Sequence, residues 1–188
     1  MSFDELSIKI GYDGDGKSVL QEFIIPTLSI AKTYDRLTGY FSSSSLAQLA
    51  KGMEKFIENE GKMRIVTSTQ FSEEDIEAIH KGILQPEEVI SKKFIKEFED
   101  IEDQFTRDHV EALSWMLAEG HMEMKIAVME DNPIFHPKVG ILNDGKNIIA
   151  FTGSLNETGS GLSPEGNIEN CDIYCNWKPG QDEYCSRH

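Results

Sequence analysis

Apolar positions in the first third of the chain change period several times. A short alternating run, Leu6–Ile10, reads as a strand that leads through a Gly/Asp turn into a helix over Ser18–Ala31. In that helix Leu20, Phe23, Ile24, Leu28 and Ile30 fall mostly at helical spacing. Tyr34–Phe41 reads as a strand, and the run Ser42–Ser45 offers N-cap oxygens to a helix over Leu46–Asn59 that stops at Gly61. Met63–Ser68 is β-branched and apolar enough for a second strand. Ser72 to Gly120 reads as helix throughout, with Glu73, Glu74 and Asp75 suited to the positive end of a helix dipole. Gly82 and Pro86 are expected to divide this segment into a short helix and a long one. After Met122 four short apolar runs follow: Met124–Met129, Val139–Leu142, Ile148–Phe151 and Cys171–Trp177. Asn143-Asp144-Gly145 between the second and third is a hairpin signal. The pattern predicts an α/β fold: one mixed β-sheet flanked by helices, with a helical segment inserted at 72–120.

The chain of 188 residues is read as one domain, 1–188, without internal repeat or linker, and as a fragment of a longer protein because its last element has no clear stop. Its formal charge is −15, an awkward value for a protein that contacts phosphates. The excess is concentrated: fourteen acidic and five basic residues lie between Glu73 and Glu119, which leaves only −6 for the other 141 residues. That acidic helical segment can face away from a polyanion. No apolar run reaches the roughly 20 residues needed to span a bilayer, and the N-terminus lacks a secretory pattern, so a cytoplasmic protein is expected. Cys171, Cys175 and Cys185 include no C-x-x-C pair and read as reduced thiols rather than a zinc site.

Candidate chemistry is concentrated late in the chain. His136 and Lys138 are two residues apart, which in an extended strand puts both side chains on one face. Ser154 and Asn156 repeat that spacing at the end of a later strand. On adjacent strands the four would bring together a nucleophile, a fixed cation, a hydroxyl and an amide, a set suited to a tetrahedral phosphate. Gly153 is expected to let the backbone approach a ligand. Glu169 would accept from one imidazole nitrogen of His136 and leave the other to attack.

The sequence His-x-Lys, then Gly-Ser-x-Asn, then Asn-x-Glu resembles the signature of the phospholipase D superfamily. The wider strings, Tyr34-Asp35-Arg36-Leu37-Thr38-Gly39-Tyr40-Phe41 and Gly153-Ser154-Leu155-Asn156-Glu157-Thr158, resemble a narrower group. These are the phospholipase D-like nuclease domains at the N-terminus of superfamily-two helicases and restriction-type proteins. The resemblance implies a catalytic set of His136 as nucleophile, Lys138, Ser154 and Asn156 as phosphate ligands, and Glu169 as the acid behind the histidine. It implies a phosphodiesterase, here a nuclease acting on DNA, that works through a covalent phosphohistidine without metal or cofactor. Two histidines are needed and only one His-x-Lys is present, so a homodimer with the site at its interface is implied. The sequence departs from the family pattern at one point. The aspartate expected five residues after the lysine is Asn143, with Asp144 one further on, and Asp144 stays outside the catalytic set.

Other signals carry less. Gly11-Tyr12-Asp13-Gly14-Asp15-Gly16-Lys17-Ser18 fits the P-loop pattern, but Asp13 and Asp15 would place negative charge against phosphate, and a turn and helix cap is the reading adopted. His80, His109 and His121 lack partners at ligand spacing. The alternatives to a nuclease are an inactive module of the same fold for dimerisation or nucleic-acid binding, and an enzyme cutting a lipid phosphodiester. The second ranks last because no basic amphipathic helix for a membrane surface is visible.

Overall fold

Alternating burial along two neighbouring strands sets the inner face of the sheet. In β2 (Thr33–Thr38) Tyr34, Arg36 and Thr38 are buried, and in β3 (Lys62–Thr67) Met63, Ile65 and Thr67 are. The register pairs Tyr34 with Met63 and Arg36 with Ile65, so one face of the sheet points into the core. The computed structural model describes residues 1–14, 18–68, 71–85, 109–127, 135–156, 158, 162 and 169–187.

Seven strands form one sheet in the order β1-β7-β6-β5-β2-β3-β4. The others are β1 (Gly11–Gly14), β4 (Met122–Ile126), β5 (Lys138–Asn143), β6 (Ile148–Gly153) and β7 (Glu169–Cys175). β2, β3 and β4 run parallel, and every other pairing is antiparallel. The mixed α/β sheet predicted from the apolar pattern is present.

Helix α1 is a π-helical turn at Val19–Ile24 that continues as an α-helix over Ile25–Leu28. It buries Phe23, Ile24 and Leu28 against the inner face, where Phe23 meets Phe151 edge-on at 5.3 Å. α2 (Ser44–Gln48) and α3 (Ala50–Glu58) add Leu46, Met53 and Phe56 to the same core. α4 (Glu73–Leu84) and α5 (His109–Ala118) pack on each other beyond β3 and β4. α6 (Asp182–Arg187) covers part of the opposite face, where Tyr184 stacks on Tyr174 of β7 at 4.3 Å. Among the described residues no helix is long and apolar enough to cross a membrane.

Four local expectations need correction. The N-terminal strand is Gly11–Gly14, not Leu6–Ile10: Ile10 is exposed, whereas Tyr12 is buried where β1 pairs with β7. The serine run does not cap by side chain. Ser43, at the N-cap of α2, has helical dihedrals and makes no capping bond, and its amide donates to the buried carboxylate of Asp75 on α4. The helix expected over Leu46–Asn59 is interrupted at Leu49. Gly82 does not break its helix but lies inside α4, where the space a Cβ would fill is occupied by the Ser114 carbonyl of α5. Ser72 does cap α4, accepting from the Asp75 amide at 3.1 Å. Of the expected acidic helical segment, 73–84 and 109–118 are helical, and 86–108 lie outside the described residues.

Candidate active site

The strand directions place the sequence candidates on one edge of the sheet. β1, β2, β3, β4 and β6 end at this edge, and β5 and β7 begin there. Lys138, first in β5, lies opposite Thr38, last in β2. Val139 lies opposite Thr152, so the loop after β6 leaves beside the start of β5. Gly153 lies opposite Cys171, two residues into β7 from Glu169. His136, Lys138, Ser154, Asn156 and the backbone of Glu169 therefore share the edge; the side chain of Glu169 lies outside the described residues.

His136 is exposed, in the segment that leads into β5. Its imidazole stands edge-on to the Tyr40 ring, 5.7 Å between centroids. Gly39 lies against it so closely that a Cβ there would overlap Nδ1. Thr38 at the end of β2 donates its hydroxyl to the Tyr40 carbonyl at 2.7 Å, which fixes the turn carrying Gly39 and Tyr40. Lys138 Nζ donates to the His136 carbonyl at 3.2 Å, so the ammonium stays beside the histidine.

Ser154 is held by a reciprocal pair with β7. Its amide donates to Asn170 Oδ1 at 3.0 Å, and its hydroxyl oxygen accepts from the Asn170 amide at 3.0 Å. Gly153 serves this join rather than an open ligand space, contrary to the sequence expectation, because a Cβ there would run into the Asn170 carbonyl. Asn156 Oδ1 is buried and has no hydrogen-bond partner among the described residues. Between the two, the Leu155 carbonyl accepts from Nη2 of Arg36, a guanidinium 1% exposed that also lies over the Phe151 ring at 5.1 Å.

Asp144 lies at the other end of the β5–β6 hairpin. Its carboxylate accepts from the amides of Phe3 (2.6 Å), Asn147 (2.7 Å) and Lys146 (2.8 Å) and from the Ser2 hydroxyl (2.8 Å). Burial opposes its ionisation, but the donors of Asn147, Phe3, Lys146 and Ser2 outweigh burial and hold the carboxyl below its ordinary value. Its surroundings are those of a turn anchor, consistent with its exclusion from the catalytic set. Cys171 and Cys175 are buried thiols on β7, pushed up to about 12 and about 11 by burial. Gly39, Tyr40 and Arg36 were not singled out from the sequence, although all three fall within the string that resembles the nuclease domains.

No family model matches this sequence, and no curated protein is significantly similar to it. Similarity is found among solved structures. Phosphatidylserine synthase from Haemophilus influenzae covers 94% of the chain at 16% identity with a TM-score of 0.52. Nuc from Salmonella typhimurium, described as a phospholipase D family member, covers 79% at 14% identity with a TM-score of 0.43. The chain shares the fold of the synthase. Yeast tyrosyl-DNA phosphodiesterase also matches, over 78% at 13% identity with a TM-score of 0.45. The chain spans 70% of Nuc but only 36% of the synthase and 26% of the yeast enzyme. At these identities the likeness is one of fold, and within that fold the chain carries its His-x-Lys where β5 begins.

Proposed function

We propose that this domain is a metal-independent phosphodiesterase that cuts DNA through a covalent phosphohistidine. The observation that carries the reading is the meeting of His136 and Lys138, at the start of β5, with the Ser154–Asn156 loop after β6 on a single sheet edge. The imidazole of His136 attacks phosphorus and the bond to the leaving oxygen breaks. A second histidine donates its proton to that oxygen. The same histidine, now neutral, takes a proton from water, which attacks the phosphohistidine and breaks the P–N bond. Lys138, Ser154 and Asn156 stabilise charge on the non-bridging oxygens, and Glu169 orients His136.

The chain has one His-x-Lys, so the second histidine is assigned to His136 of a second copy in a twofold homodimer. The charge of −15 favours a domain whose DNA affinity is supplied elsewhere, as in a larger helicase or restriction-type protein.

The test is cleavage of mixed DNA substrates in excess chelator, wild type against His136→Ala, with folding checked by circular dichroism and mass measured in solution. Wild type should cut as a dimer, and the variant should cut about 10³-fold more slowly or less. Equal cutting by the two proteins would overturn the assignment. Hydrolysis of a lipid phosphodiester with no action on DNA would move the activity to the lipid class. Folded wild type that cuts neither substrate would favour the inactive-module alternative.

A further inference from the structure

Behind the candidate phosphate ligands lies a buried cation that the mechanism above does not use. Arg36 projects from β2 into the inner face and is 1% exposed. Room for it comes from an unusual neighbour arrangement. Gly140 of β5 lies opposite both Arg36 and Phe151, and a Cβ at position 140 would collide with the Phe151 ring. The ring lies across the glycine, and the guanidinium lies over the ring at 5.1 Å. Phe23 closes the ring's other contacts edge-on at 5.3 Å, and Tyr34 stacks near it at 6.4 Å. From this seat Nη2 reaches the Leu155 carbonyl.

That carbonyl belongs to the peptide joining Leu155 to Asn156, with Ser154 one residue before it. Fixing it fixes the plane from which the Asn156 side chain departs. Ser154 already has its own tie to Asn170 of β7, whereas Asn156 Oδ1, though buried, has no partner among the described residues. The 155–156 peptide is therefore a hold on Asn156 that no described partner of Oδ1 supplies. We infer that Arg36 is a positioning residue for the phosphodiester chemistry, holding the 155–156 peptide so that Asn156 faces the phosphate. This rests on the function proposed above. A lysine cannot replace the arginine, because the fork sets its central carbon over the Phe151 ring while pointing one donor at the Leu155 carbonyl.

The experiment is a double-mutant cycle with bis(4-nitrophenyl) phosphate as the probe, in chelator. Arg36→Lys and Asn156→Ala should each lower kcat/KM by roughly tenfold or more, and the double variant should lose no more than about threefold beyond the worse single one. Multiplicative losses, or Arg36→Lys with wild-type kcat/KM, would overturn the inference. Thermal melts report whether Arg36→Lys folds. If it does not, Phe151→Leu takes its place in the cycle, since it keeps an apolar side chain but removes the ring face, and the same outcomes apply. Failure of the phosphodiesterase reading looks different: wild type then releases no nitrophenol. In that case amide hydrogen exchange at Asn156 decides, rising roughly tenfold in the folded Arg36 or Phe151 variant if the peptide is held there and staying unchanged if it is not.

Discussion

Gly39 has no side chain, and the imidazole of His136 occupies the room a methyl group would need. Packed groups do not yield space without moving, and here the exposed ring is the easier to displace. Gly39→Ala is expected to lower DNA cleavage roughly tenfold or more while leaving the melting temperature nearly unchanged. The readout is turnover beside a melt on the same sample. Asp144 predicts the reverse pattern, a loss of stability without a direct effect on chemistry. Asp144→Ala strips an acceptor from three amides and the Ser2 hydroxyl, and should cost about 2–3 kcal/mol in urea unfolding. The folded carboxyl titrates below its unfolded value near ~3.9, so the ionised form favours the native state. Its contribution is complete above the unfolded pKa and disappears as pH falls through the lower folded value. Asp144→Asn should flatten the acid limb of stability against pH, measured below about pH 4.

Among the elements, the α4–α5 pair gives a prediction with an inverted sign. Alanine for glycine in an exposed helix gains about 1 kcal/mol, but at Gly82 the new methyl meets the Ser114 carbonyl of α5. Gly82→Ala should instead destabilise by about 1–2 kcal/mol, read from the urea midpoint. The sequence pointed to this glycine as a break, which it is not; its use as a contact was not legible, because nothing local marks the second helix. The same limit explains β1. Ile8 and Ile10 alternate like a strand, yet the ladder forms one step later, where Gly11–Gly14 finds β7. β2, β3, β5 and β7 were readable because half-buried strands write a period of two, and β6 because it is a short apolar run; boundaries are displaced by one or two residues, except that β2 ends three residues early, at Thr38. That His136, Lys138, Ser154 and Asn156 lie at one end of the sheet was readable because each pair is local. Arg36 was not, since its acceptor lies 119 residues away, and neither was the hold of Asp144 on Phe3, 141 residues apart.

Across the whole molecule, the interior of β7 offers a global probe. With Cys171 at about 12 and Cys175 at about 11, both are protonated near pH 8 as well as shielded. Iodoacetamide should label these two only at the rate of global opening, while urea exposes all three cysteines at once; mass spectrometry of labelled peptides separates the cases. Rapid labelling of Cys171 in the native protein would contradict the packing described. The β1–β7 pairing has a further consequence for how the molecule is made. Gly11 sits opposite Asp172, so β1, made long before β7, must wait for it before their ladder can close. Until then Tyr12 lacks its cover, and the nascent domain carries an open sheet margin.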